Sequence, residues 1–229
     1  MIQRLSLVRV RVRVWDAPTR IVHWLLVALV ATSWWTAENG QLQIHRYSGY
    51  TLLGLLVFRA YWAFAGSSTS RLGKFLRGPR ALLAYVKAVA TRRDPQTAMG
   101  PNPLGAWSAF ALLALLIAQV SLGLFAVDVD GIESGPLSHL VSFDVGRTCA
   151  QWHEDVFNVL IALIALHVAA VLFYVFYRRE NLIRPMISGV RTERSEVTPP
   201  VEIASWRRAI GGIALAAAAT WAVIAGFWL

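Results

Sequence analysis

The feature that most constrains this chain is a set of long apolar runs with almost no charge inside them. An uncharged stretch of about 18 or more residues matches the thickness of a bilayer core and reads as a membrane-crossing helix. Five runs can be drawn: Ile21 to Thr36, Tyr47 to Ala65, Leu104 to Val127, Trp152 to Tyr177 and Ala209 to Leu229. In hydrocarbon every backbone amide must be satisfied within its own segment, so each run is expected to be helical. Composition agrees, with 56% of the 229 residues hydrophobic and 15% charged. The net charge of +9 does not point to nucleic acid, because the charges sit at the ends of apolar runs and not among base-stacking aromatics.

The loops set an orientation. Arg4, Arg9, Arg11, Arg13 and Arg20 lie before or at the start of the first run. Arg71, Lys74, Arg77, Arg80, Lys87, Arg92 and Arg93 follow the second, and Arg178, Arg179, Arg184, Arg191, Arg194, Arg207 and Arg208 follow the fourth. The opposite side holds Arg46 and Arg147 against Glu38, Asp128, Asp130, Glu133, Asp144, Glu154 and Asp155. Basic loops stay in the cytoplasm. The expectation is a multi-pass protein of a bacterial inner (cytoplasmic) membrane, N-terminus cytoplasmic and C-terminus periplasmic. Its acidic outer face would attract a basic partner, or be a solvated loop and nothing more.

The chain divides into a basic cytoplasmic arm (1–18), a four-helix core (19–190), a cytoplasmic linker (191–208) and a fifth helix (209–229). The first run lacks an A-x-A pattern and reads as a retained helix. The arm from Val8 to Val14 alternates apolar and basic residues, a pattern suited to anionic headgroups of membrane lipid. Pro79 to Arg92 reads as a short amphipathic surface helix with Leu82, Leu83, Val86 and Val89 toward lipid. Thr192 to Ser205, with Pro199 and Pro200, reads as polar linker. Cys149 is the one cysteine, so no intrachain disulfide forms, and no C-x-x-C-H motif attaches haem covalently.

Four of the five histidines lie in or at the ends of the runs, where polar groups are costly and a functional role is the default reading. His153 and His167 are 14 positions apart on one helix. That spacing is roughly 21 Å along the axis, with both side chains facing nearly the same way. They cannot share one metal, and each needs a partner from another helix. His45 lies at the outer level of His153, and His23 at the inner level of His167. Two trans-helix histidine pairs at two depths suit two haems, because imidazole fills the axial positions of haem iron. Both sites would be six-coordinate, which favours electron transfer over ligand chemistry.

Other residues fit that arrangement. Gly49, one turn beyond His45, leaves room for a macrocycle, and Arg59, 14 positions from His45, faces the inner level. A lone arginine in an apolar helix needs an anion, which a haem propionate supplies; a snorkelling interfacial arginine is the competing reading. Arg20 and Arg46 are further propionate candidates near the two faces. Asp16 before Pro18 reads as the cap of the first helix. Bland alternatives are histidines hydrogen-bonded between helices, or an outer zinc site from His45, His153 and Cys149. Zinc leaves the inner pair without a tetrahedral ligand set. His139 reads as a loop surface residue with a smaller claim on a quinone pocket.

At these residues the sequence resembles the prokaryotic cytochrome b561 family, which is related to the b-type cytochrome subunits of nickel-iron hydrogenases. The stretches that carry the resemblance are Thr19 to Trp24, His45 to Tyr50, Trp152 to Glu154, His167 to Ala170 and Glu180 to Met186. The resemblance implies an all-α, integral membrane four-helix bundle with two haems b, ligated by His23 and His167 inside and by His45 and His153 outside. It implies electron transfer between the quinone pool (ubiquinone or menaquinone) and a partner redox protein such as a c-type cytochrome. Two alternatives stand beside that reading: a stand-alone quinol oxidase using superoxide or oxygen, and a haem-carrying anchor subunit of a larger complex. The fifth helix departs from the four-helix pattern; Gly212, Ala216 and Ala219 give it a small-residue face suited to close packing. Glu154 and Asp155 read as carboxylates favourable at a helix N-terminus, with proton uptake from quinol as the rival role.

Overall fold

The computed structural model describes residues 9–71, 78–91, 103–130, 132–194 and 202–225. Arg4, Val8, Lys74, Arg77, Arg92, Arg93, Pro199, Pro200 and the last four residues of the fifth run lie outside these. The helices are α1 (Ala17–Glu38), α2 (Leu42–Ala65), α3 (Pro79–Ala90), α4 (Pro103–Phe125), α5 (Phe143–Phe176), α6 (Ile183–Ser188) and α7 (Trp206–Ala225). Four of them, α1, α4, α5 and α7, are long and apolar enough to cross a membrane. Helix α2 is longer than α1 but carries His45, Arg46 and Arg59, which dilute its apolar character.

The all-helical expectation takes one amendment. Strand β1 (Arg9–Arg13) pairs antiparallel with β2 (Val190–Arg194), Arg11 opposite Thr192 and Val12 opposite Arg191. Five residues of the expected arm and the start of the expected linker therefore form one ribbon. Alternation explains it: Val12 is buried while Arg11 and Arg13 are exposed. Gly189 closes α6 at φ 81°, where a Cβ would lie 2.9 Å from the Trp15 carbonyl. Only glycine fits that turn without strain.

Boundaries also moved. The fourth apolar run was expected from Trp152, but α5 begins at Phe143, with Ser142 as its cap. Arg147, Thr148 and Gln151 look loop-like by hydropathy, yet none of them breaks a helix. The last helix starts at Trp206, three residues before the apolar run. Helix α3 matches the expected amphipathic segment; Leu83 and Val86 are exposed while Tyr85 is buried, its hydroxyl 2.9 Å from that of Tyr174 on α5.

The packing places α2 in the middle. Leu52 and Leu56 of α2 meet Leu116 and Val120 of α4 and Leu160 of α5, with Leu26, Leu29 and Val30 of α1 against them. On another side of α2, Phe58 and Trp62 pack with Val22 of α1 and Ala216 of α7. A Cβ on Gly212 would lie 2.6 Å from the Tyr61 ring, so the small-residue face of α7 is the face that docks on α2. Because α1 and α2 turn back on each other at Asn39–Gln41, the bundle has two distinct ends. The basic end holds the start of α1, the close of α2, and the ribbon. The acidic end holds the start of α2, the close of α4 and the start of α5.

Asp16 clasps the basic end. Its carboxylate accepts the Thr19 N–H at 3.0 Å, the Trp62 indole N–H at 2.9 Å and the Ser70 hydroxyl at 2.6 Å. The expected helix cap thus also ties α1 to the end of α2. Burial pushes this carboxyl up, but hydrogen bonds from Ser70, Thr19 and Ser67 outweigh it and hold it below the ordinary carboxylate value. A depressed folded-state value contributes stability that is present above the unfolded value and lost as pH falls through the folded one. Wild-type protein should therefore lose thermal stability below about pH 4. Asp16→Ala should cost about 2–4 kcal/mol at pH 7, and Asp16→Asn should flatten part of the acid loss, both read from melting curves across pH.

Candidate functional site

The acidic end brings His45 of α2 and His153 of α5 together, with ring centroids 6.1 Å apart and planes at 82°. His45 Nδ1 lies 2.9 Å from the Ser33 carbonyl of α1, and His153 Nδ1 lies 2.9 Å from the Gln119 carbonyl of α4. A carbonyl can only accept, so each Nδ1 carries the proton and each Nε2 keeps its lone pair for a metal. A metal–imidazole bond is about 2 Å, so two rings clamping one ion from opposite sides have centroids roughly 6 Å apart. The observed spacing meets that requirement.

The surroundings hold both rings in place. Ser33 and Ser48 share a hydroxyl contact at 2.5 Å, and Ser48 also donates to the His45 carbonyl at 2.8 Å. Gly123 of α4 lies against His153, where an added Cβ would be 2.9 Å from Cε1. A Cβ on Gly49 would meet nothing within 4 Å, so the space expected beside His45 is present. Arg46, a propionate candidate, pairs through Nη1 with Glu133 at 2.5 Å, because the loop after α4 folds back over this end. That loop is fastened by the Val127–Ser134 bridge and by Arg147 donating to the Val127 carbonyl at 2.9 Å.

At the basic end His23 of α1 and His167 of α5 lie within electrostatic reach of each other. His23 Nδ1 is buried and has no hydrogen-bond partner among the described residues. The same holds for Arg59 Nη1, Thr19 Oγ1 and Arg20 Nε. These are unsatisfied groups, three of them donors, at one level of two adjacent helices. Buried donors left unpaired are costly, and a bound carboxylate would satisfy them. Arg20 Nη1 donates to the Ile187 carbonyl, and Trp24 Nε1 to the Met186 carbonyl at 3.2 Å. The Glu180 to Met186 stretch thereby closes on α1.

Cys149 stays apart. Among the described residues no three His, Cys, Asp or Glu side chains converge on a metal-ion cluster, so the outer zinc alternative lacks its third ligand. His139 is exposed on a short 3₁₀ turn, Ser138–Leu140. Sequence reasoning passed over α4, which has no histidine but supplies the Gln119 carbonyl and the Gly123 gap. Nothing in the sequence marks that backbone carbonyl; the glycine one turn on is the one local sign of a close approach.

A histidine pair between apolar helices at one end, and buried unpaired donors near a second histidine at the other, suit a membrane protein that holds a metal-centred macrocycle. Residues 14–189 match the prokaryotic cytochrome b561 family, and the chain belongs to it. Relatives include proteins named "Probable Ni/Fe-hydrogenase B-type cytochrome subunit". The one from Bradyrhizobium diazoefficiens is 24% identical, over 81% of this chain and 88% of its own. That from Cupriavidus necator is 24% identical, over 78% and 86%. That from Rhizobium leguminosarum bv. viciae is 22% identical, over 80% and 90%. No solved structure matches the chain. The chain is thus a multi-pass membrane cytochrome of the haem b type, and its work is electron transfer.

Gly123→Leu should drive side-chain atoms into the His153 ring and lower the haem content, while the helical far-UV circular dichroism of the protein persists. A pyridine haemochrome assay on purified protein reads the loss, and full haem content would contradict the close packing.

Proposed function

We propose that the chain carries two haems b and moves electrons across a bacterial inner membrane between the quinone pool and a partner redox protein. The observation that supports this most directly is the His45–His153 pair, 6.1 Å apart between ring centroids, with each Nδ1 held by a backbone carbonyl so that each Nε2 is free of a proton. His45 and His153 would ligate the outer haem, and His23 and His167 the inner one. A haem held by these histidines would supply one-electron redox chemistry. The protein's part is to hold the rings, exclude water and set the charge around each level. Arg59, Arg20 and Thr19, each with a buried polar atom unpaired among the described residues, would receive inner propionates. Arg46 is shared with Glu133 and serves the loop over the outer site.

The basic end faces the cytoplasm in this reading, by the arginines of the ribbon and its neighbouring loops. Helix α2 crosses with the other four, its polar side chains turned to neighbouring helices, which puts the N-terminus inside and the C-terminus outside. The arm-and-linker ribbon, the di-haem core and the C-terminal helix are then three parts of one unit. The acidic outer face suits a basic partner such as a c-type cytochrome. The names of the relatives favour a second form of the same role, in which the chain is the cytochrome subunit of a larger redox complex.

A reduced-minus-oxidised spectrum with a haemochrome assay on the purified chain should give two haems b per chain. His167→Ala and His153→Ala should each lose one haem and keep the other. Retention of both haems in either variant would break the pairing, and co-purification of a fixed partner would select the subunit form.

A further inference from the structure

We propose that the loop between α4 and α5 is a docking knob for a soluble electron-transfer protein whose contact face is apolar at its centre and basic at its rim. Val129 and Ile132 are the contact residues. This rests on the reading above, in which electrons pass through the His45–His153 level.

The loop displays the wrong residues for a plain aqueous turn. Exposed turns are built mostly from Gly, Pro, Asn, Asp and Ser. Here Val129 and Ile132 are 73% and 81% exposed, more than any other large apolar side chain described at the acidic end. Side chains this exposed add little to the core, and an apolar surface rimmed by polar residues marks an interaction site.

The loop is also fixed before any contact is made. Val127 bridges Ser134, the Asp128 N–H donates to the Glu133 carbonyl at 3.0 Å, and the Glu133 N–H donates to Asp128 Oδ2 at 3.2 Å. The Arg46–Glu133 pair ties it to α2. The Val127 N–H donates to the Gly146 carbonyl at 3.1 Å, and Arg147 donates to the Val127 carbonyl at 2.9 Å, which ties it to α5. Arg46 directly follows His45, and Arg147 lies within two turns of His153. The loop therefore rests on both helices that bring the outer pair together. A preformed contact loses little freedom on binding, so even a small one is useful to a transient partner.

Charge selects the partner. Asp128, Asp130, Glu133 and Asp144 stand against Arg46 and Arg147, and both arginines already donate to oxygens of the loop. A protein face with lysines or arginines around an apolar centre complements that surface. Anionic lipid headgroups would repel the same carboxylates, so a bilayer is the poorer match for Val129 and Ile132.

The test is stopped-flow mixing of the purified, haem-loaded chain, reduced and held in lipid nanodiscs, with a lysine-rich ferric c-type cytochrome. One electron passes from the chain to that cytochrome, and the second-order rate is read. The wild-type rate should fall steeply with added salt. The double variant Val129→Ser, Ile132→Ser should lower it about tenfold, as truncation of two interface anchors does. Its haem content and its rate with ferricyanide should stay at wild-type values. Asp130→Asn should slow the reaction at low salt and flatten the salt dependence. A double variant as fast as wild type, or a wild-type rate indifferent to salt, would overturn the inference. So would an equal loss with ferricyanide, which puts the defect at the histidine pair. A defect present in nanodiscs and absent in detergent would assign the two side chains to lipid and overturn it too. A purified chain that binds no haem would instead overturn the underlying reading.

Discussion

A helix carbonyl has two lone pairs, and the helix N–H four residues on uses only one of them. The site at the acidic end depends on the other. Ser33 on α1 and Gln119 on α4 offer that spare acceptor to His45 and His153. In hydrocarbon an imidazole N–H has no water to turn to, so this bond fixes the tautomer and the ring orientation together. Neither helix contributes a histidine to this pair, yet both hold the rings of their neighbours. The glycine at 123 belongs to the same arrangement, since α4 must come close enough for its carbonyl to reach.

That demand for close approach runs through the rest of the fold. Helix α2 carries the polar residues and sits in the middle, where α1, α4 and α7 cover it. Gly212 and Ala216 let α7 lie flat on Phe58 and Tyr61, which keeps that flank of α2 from lipid. Asp16 then joins the start of α1 to the close of α2 through Trp62 and Ser70. The clasp lies at the basic end, the same end as Arg59, so fold stability and the electrostatics of the lower-lying histidine pair share a carboxylate.

The two ends are satisfied in different ways. Arg46 at the acidic end is consumed by the loop that folds over it, whereas Arg59 and Arg20 at the basic end keep donors in reserve. The charge and the acceptors around the histidines therefore differ between the two ends. Charge and second-neighbour hydrogen bonds are the terms left for the protein to set.

The sequence by itself determined the helices and the positions of the histidines along them. Long uncharged runs leave the backbone no alternative to helix in a bilayer, and the 14-residue spacing of His153 and His167 follows from helix geometry alone. Asp16 as a cap and Gly49 as a gap were legible for the same reason, being local. What only the tertiary structure decided were contacts between residues distant in the chain. No pattern in Arg9–Arg13 names Val190–Arg194 as its partner, and nothing near Arg46 foretells Glu133. The start of α5 at Phe143 was hidden because hydropathy reports burial in lipid, while helix formation depends on backbone propensity and capping. The carbonyls of Ser33 and Gln119 were hidden more deeply, since every residue has a carbonyl and only the packing of helices selects which one an imidazole meets.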